Sequence, residues 1–356
     1  MNILTITPES SNINVDDNNT SGLLNVSTSS NINTLTNIYP TTSNISINST
    51  TGPSVVTVSG VNSLANIVNI SSASYSNTVV SGASGVYSSY GRLSLASNNP
   101  IYNTDITNNT IYYTPYLGNK LSLYDSSTSS WSDYTFSELS LSLLASTNDT
   151  NYDIFIYYNG NSLVMEKIAW LNNSNRNSSL ILQDGIYVLS TDAKKRYVGS
   201  IRTTSTSTTE DSKKKRFVWN NSNKIVKQIY ATDSVLHTYT TSSYRPYKNI
   251  TTSGITRIEF ISGIDQYLSV SLHSDHFNES NFSSVALGLD STSNPNIDII
   301  NGIYVSAGSP YGHSNISTSS NTYVNTNLGY HYIQILQYGS SISTFNKAIL
   351  SGAILC

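Results

Sequence analysis

Cysteine is almost absent. Cys356 stands alone as the last of 356 residues, so no disulfide can form within one chain, and packing and strand pairing must hold the fold. Charge is nearly as scarce: Asp, Glu, Lys and Arg make up 11% of the residues, where an ordinary soluble domain carries about 25%. Solubility therefore rests on the neutral hydrogen-bonding groups of Ser, Thr and Asn. The net charge of −3 and an isoelectric point near 5.9 supply no broad basic field, so nucleic acid is not an expected partner. The opening MNILTITPESSNINVDD has neither a basic start nor an apolar core of signal-peptide length. Nowhere does an uncharged apolar run reach the roughly 18 residues of a membrane span, so neither export signal nor membrane insertion is expected.

Catalytic motifs are missing too. There is no G-x-S-x-G elbow, Walker-type loop, zincin helix or paired-cysteine site, so no enzyme activity, catalytic residue or cofactor is expected. The weak candidates read better as structure. His273, Asp275 and His276 could offer imidazoles and a carboxylate to a metal ion, but His273 falls on the polar face of an alternating strand. Asp17, Asn19, Ser21 and Gly22 imitate the first half of a calcium loop, whose closing carboxylate is replaced by Thr28. Lys213, Lys214, Lys215 and Arg216 follow Glu210 and Asp211 and precede a strand, the pattern of a solvated hairpin tip; bound to anything, they would suit an anionic glycan or an acidic neighbouring subunit. A glycosidase would need two converging carboxylates, for which Asp153, Glu166, Asp184 and Glu259 are candidates, each expected to satisfy a turn or a wet strand face.

What the chain does have is Tyr: 26 residues against 7 Phe. Many of these rings are expected at half-buried positions, body packed and hydroxyl wet, as on a sheet with one open face. With abundant Ile, Leu and Val, they give enough apolar surface to offset chain entropy.

The best-patterned stretch is Gln183 to Asn220. Tyr197, Gly199, Ile201 and Thr203 alternate there with Val198, Ser200 and Arg202, the period of a strand. The Ser/Thr run from Thr203 to Thr209 predicts a solvated loop or rim, after which Phe217, Val218 and Trp219 return to the core with Trp219 as anchor. Asn159-Gly160, between Tyr152–Tyr158 and Leu163–Trp170, predicts a type I′ hairpin. Ser132 to Leu144 carries both helical spacing (Phe136, Leu139, Leu143) and strand alternation (Leu141, Leu143 against Ser140, Ser142), and its reading stays open between the two. Leu268, Val270 and Leu272 alternate with polar residues in a further strand.

Composition divides the chain into three. Residues 1–90 contain no Lys or Arg, and their short alternations, such as Ile45-Ser46-Ile47, predict a Ser/Thr/Asn-rich β anchor or oligomerisation region. Gly22–Ser30 and Leu64–Ser72 look alike, but their spacing establishes no repeat. Residues 91–248 predict a central β domain and 249–356 a β-sandwich of jelly-roll kind, so the fold class is all-β and multi-domain.

The words DGIYV (Asp184–Val188), KRYVG (Lys195–Gly199), RTTSTSTTED (Arg202–Asp211) and KRFVWN (Lys215–Asn220) occur in the order found in virion proteins of tailed bacteriophages. GRLSLAS (Gly91–Ser97), IYYTPYLGNKLSLYD (Ile111–Asp125), FSELSLSL (Phe136–Leu143), ALGLDSTSNP (Ala286–Pro295) and GYHYIQILQYG (Gly329–Gly339) extend the likeness, so residues 91–356 resemble the tail- or head-fibre-like structural proteins of that group. The resemblance implies a virion component such as a fibre, vertex or surface decoration. It would be homo-oligomeric, with three-fold symmetry as the family expectation, and would contact other capsid or tail proteins. Two other functions are compatible with the residues: a receptor-binding adhesin that stacks Tyr on cell-surface glycan, and, behind it, a polysaccharide depolymerase.

Overall fold

The computed structural model describes residues 87–356, except 265, 279–280, 306–313 and 341, together with the backbone of eight strands between residues 2 and 79. The chain falls into two compact units, Met1–Tyr87 and Ser88–Cys356. Strand is the regular structure of the described residues, and the only helical element among them is a 3-10 turn at Tyr247–Asn249. The protein is all-β, as composition and alternation predict. None of the described helices is long and apolar enough to cross a membrane.

The N-terminal unit is two sheets of four parallel strands. Asn2–Ile6, Gly22–Thr28, Asn44–Ser49 and Val68–Ser72 form one, while Asn12–Asp17, Thr34–Pro40, Val56–Val58 and Thr78–Val79 form the other. Alternate strands therefore stack on one another, two strands per layer. Asn2 pairs with Gly22, Leu23 with Asn44 and Ile45 with Val68, which are offsets of 20, 21 and 23 residues. The drift in offset explains why the likeness of Gly22–Ser30 and Leu64–Ser72 carries no fixed period in sequence. The calcium-loop reading of Asp17, Asn19, Ser21 and Gly22 rests on side chains that lie outside the described residues.

In the second unit, Leu163–Ala169, Asn151–Tyr158, Asp192–Arg202, Ile186–Leu189 and Leu180–Gln183 make a sheet in that order, and Val218–Asn220 pairs with Asp192–Arg202. The strand Asp192–Arg202 is buried on both faces from Arg196 onward. Ile154 opposes Gly199 and Phe155 opposes Tyr197, so Val198 is an extra residue, a bulge that interrupts the simple alternation read from sequence. In consequence Tyr197 faces one core with Phe155 and Trp219, while Val198 and Ile201 face a second with Ile154 and Tyr152. Trp219 is fully buried and donates from Nε1 to Gln266 Oε1 at 2.8 Å, an anchor as expected.

The hairpin at Asn159-Gly160 is present, with Tyr158 opposite Leu163, but its turn differs from the type I′ expectation. Four residues form the loop. Gly160 alone takes a positive φ, 95°, and Asn159 Oδ1 accepts from the amides of Asn161 and Ser162 at 2.9 Å. The helical option for Ser132–Leu144 is not realised: Ser130–Thr135 pairs with Lys120–Asp125, and Leu139–Ser142 pairs with Thr110–Pro115. A run of Ser and Thr with aromatics has weak helix propensity, so cross-strand partners decide. The Thr203–Thr209 loop is also less solvated than predicted. Thr203 and Thr209 are fully buried, and their hydroxyls donate to the carbonyls of Thr147 and Arg202.

Two larger sheets form a sandwich over a shared core. The first runs Ile106–Asn108, Thr209–Asp211, Lys215–Arg216, Arg257–Ser262, Gly329–Gly339, Asn281–Leu289, Ile300–Val305. The second runs Val226–Asp233, Ser343–Leu355, Gln266–Asn278, Ser314–Thr326. Ile258, Phe260, Val285 and Ile333 from the first pack with Ile229, Leu268, Val270, Leu272 and Leu350 from the second, and each such side chain contributes about 1.5–3 kcal/mol by leaving water. Strands on either side of residue 249 share both sheets, and that position falls in the 3-10 turn within the second unit.

Candidate functional site: an open sheet face

The alternation that sends Leu268, Val270 and Leu272 into the core sends their neighbours outward. Across the four main strands of the second sheet, three outward rows are Gln228-Ala353-Ser269-Tyr323, Tyr230-Ser351-Ser271-Asn321 and Thr232-Ile349-His273-Ser319. The floor of this face is made of small residues. Around it stand exposed apolar side chains: Tyr323 at 82% of full exposure, Val226 at 71%, Tyr267 at 66% and Leu355 at 44%. The sheet ends at Ser314–Thr326, and no other described strand pairs the far edge of that strand. Its sequence, SNISTSSNTYVNT, has no charged residue and no Pro, and its register with Gln266–Asn278 runs unbroken over thirteen pairs. Charges, Pro and bulges are the usual protection of a sheet edge against pairing with another chain, and this edge has none.

The four carboxylates singled out for chemistry are placed elsewhere. Asp153 is buried, with Arg176 Nε at 2.6 Å and the Ser200 hydroxyl at 2.7 Å; burial pushes its carboxyl up, with Arg176 opposing. Glu166 pairs with Lys195 at 2.7 Å, and Asp184 accepts from Trp131 Nε1 at 2.9 Å. Glu259 accepts from the hydroxyls of Tyr330 and Ser253 at 2.6 and 2.5 Å. Each of the four carboxylates is thus engaged by its own donors.

His273 and Asp275 lie on the open face with 3.4 Å between Nε2 and Oδ1. The same period of two that puts His273 and Asp275 outward puts His276 inward, where it is fully buried and stacked 5.7 Å from Phe345. Alternation therefore separates the three residues that sequence placed together, and the register shift at this point leaves Asn346 as the extra residue on the partner strand. Among the described residues no group of three or more His, Cys, Asp or Glu side chains is placed to hold a metal ion.

The basic run divides in the same way. Lys213 and Lys214 are exposed at a hairpin tip, as expected, but Arg216 departs from that reading. It turns inward to Asp211 at 2.9 Å, and Asp211 also receives Lys227 and, at 2.6 Å, the Tyr102 hydroxyl. Burial alone would raise the Asp211 carboxyl, yet Lys227 and Arg216 hold it below the usual range. Sequence reasoning missed this cluster because Tyr102 and Lys227 are far from the run; the only signal was that Asp211 and Arg216 flank a turn. Cys356 is buried, and burial pushes its thiol up to about 11.

No family model and no curated protein matches the chain. Solved structures with partial likeness include dimeric latent PorU from Porphyromonas gingivalis, at TM-score 0.25 and 4% identity over 58% of this chain and 22% of that one. A β-porphyranase of glycoside hydrolase family 86 from Bacteroides plebeius gives 0.22 and 12% over 69% and 34%. The Cry8Ea1 δ-endotoxin of Bacillus thuringiensis gives 0.19 and 10% over 69% and 52%. The chain spans about a fifth to a half of these proteins' lengths, and likeness at this level carries no argument about function.

Proposed function

We propose that this chain is a non-enzymatic structural component of a virus particle, a fibre-, vertex- or surface-decoration-like protein that assembles with copies of itself through β-sheet contacts. The observation that carries the proposal is the outer face of the second sheet, three rows of which hold no Lys, Arg, Asp or Glu, with its unprotected thirteen-residue edge. Three strands about 43 Å long and the eight-residue Val226–Asp233 at about 26 Å, spaced about 4.8 Å apart, present ~750 Å², close to the ~800 Å² each partner contributes to a standard-size interface. With no Lys, Arg, Asp or Glu in the three outward rows, and Asp275 opposite Lys347 in the next, pairing this face desolvates few ions. The resemblance of residues 91–356 to tail- and head-fibre-like proteins supports the setting, and other capsid or tail proteins are the remaining partners it implies.

The test is the mass of the full chain by light scattering, followed by antibody labelling of particles. An oligomer is expected, and Tyr323→Lys with Asn321→Lys, which charge the face beside its edge, should shift it toward the protomer mass of 38.8 kDa. A stable monomer at micromolar concentration, or an oligomer indifferent to both substitutions, refutes the reading.

A further inference from the structure

Away from the sandwich, three local elements bring tyrosines together. Tyr124 is the penultimate residue of the strand Lys120–Asp125, Tyr134 lies on its partner Ser130–Thr135, and Tyr157 and Tyr158 end the strand Asn151–Tyr158. Together they line a cleft of about 510 Å³, within the roughly 300–1,000 Å³ of ordinary ligand sites. The rings are held in place. Tyr134 and Tyr158 lie 4.8 Å apart at 32°, the Tyr158 hydroxyl donates to the Gly160 carbonyl at 3.0 Å, and Lys195 sits 5.3 Å over Tyr157.

The polar groups of the cleft are chiefly acceptors. Asp125 and Asp192 line it, and the only lysine in the lining, Lys194, lies 3.9 Å from Asp125. The hydroxyl and amide of Ser127 bind Asp125 Oδ1 at 2.6 and 2.9 Å and hold this carboxyl below its usual value. An ionised carboxylate has further lone pairs for ligand donors. Asn159 and the Gly160 backbone complete the rim. Aromatic faces beside carboxylates and an amide match a ligand with apolar C–H faces and many hydroxyl donors, and with Lys194 paired to Asp125 and Lys195 to Glu166 neither nearby cation is free for an anionic ligand.

We propose that the cleft between Tyr124, Tyr134, Tyr157 and Tyr158 binds a neutral oligosaccharide, one sugar ring packing on the Tyr134–Tyr158 pair while its hydroxyls donate to Asp125 and Asp192. This site stands independently of the assembly reading, since it uses neither the second sheet nor its edge.

The full chain is screened against arrayed neutral hexose and N-acetylhexosamine oligosaccharides, with uronate- and sulfate-bearing glycans as the acidic arm. Binding is then titrated by the fluorescence of Trp131, whose ring lies 5.4 Å from Tyr124. Saturable binding to at least one neutral glycan is expected, at least tenfold weaker in Tyr158→Ala and Tyr134→Ala and retained in Tyr158→Phe. Asp125→Asn, on the surface, should weaken binding even where a Tyr→Ala variant fails to fold. No neutral glycan bound, binding to acidic glycans only, or affinity unchanged in a folded Tyr→Ala variant and in Asp125→Asn overturns the assignment.

Discussion

Lowering the pH from 7 to 4 should destabilise the sandwich through His276. This ring is fully buried and stacked on Phe345, and among the described residues neither of its nitrogens makes a well-formed hydrogen bond, the Ser283 backbone giving only a weak contact. Burial lowers its pKa from 6.5 to about 4; the nearby Ser283 backbone and Asp275 oppose that only in part. The groups around it are the stacked Phe345, Asp275 on the same strand, and His237, which stacks 5.5 Å from the same Phe345 ring. A folded-state value below the unfolded one means that the unfolded chain binds the proton first. Stability from the neutral ring is therefore complete above about pH 6.5, falls as the pH drops toward 4, and levels off below that. Each unit of difference is worth about 1.4 kcal/mol, so the whole loss is on the order of 3 kcal/mol. The assay is urea unfolding at several pH values from 7.5 to 4, followed by the fluorescence of the buried Trp170 and Trp219. His276→Phe keeps an aromatic ring against Phe345 but removes the titration, so the difference between wild type and variant isolates this group from the buried carboxylates. Parallel pH profiles for the two proteins would refute the reasoning.

Two further outcomes follow from the same interior. Asp211→Asn leaves Arg216 and Lys227 facing a neutral amide in a buried site; stranding buried charge costs about 3–5 kcal/mol, and calorimetry should show a melting temperature lower by about 10 °C. A shift below about 2 °C would mean that water reaches the cluster. Cys356, buried and with its thiol pushed up to about 11, should resist iodoacetamide at pH 8 in the native protein and react fully in urea. Equal labelling in both states would contradict its burial.

The sequence made the fold legible where one short pattern answers to one environment. The alternation of Leu268, Val270 and Leu272 identifies the core side of its strand, and Asn159-Gly160 locates a hairpin. Legibility failed where two environments or distant partners decide. Phe136, Leu139 and Leu143 fit a helix as well as a strand, and only the pairing of Tyr124 with Trp131 and Ile111 with Leu141 chooses. Arg216 looks like its lysine neighbours until Asp211 and the Gln228 carbonyl draw it inward. His276 reads as a companion of His273 by nearness in sequence, although a spacing of three along a strand sends the two rings to opposite faces. The tyrosine cleft was anticipated only as a surplus of Tyr, since convergence of residues 124, 134, 157 and 158 depends on how two hairpins sit.

The distribution of charge ties these features together. The chain has few ionic groups, and many of them are inside: Arg92, Arg196, Arg202, Arg216, Lys227, Asp153, Asp211 and Asp233 are all buried. Their hydrogen bonds cross long stretches of sequence. Arg196 binds the carbonyls of Ser88 and Ser122 at 2.8 and 2.6 Å, and Arg202 binds Asn151 and Asn173 at 2.9 and 2.8 Å. Charge here cross-links elements in a chain with a single cysteine, while the three outward rows of the second sheet hold only neutral residues such as Ser, Thr, Asn and Tyr. A surface of that composition remains hydrated without ions and meets a copy of itself without like-charge repulsion. The scarcity of charge and the open sheet edge are therefore two aspects of one arrangement.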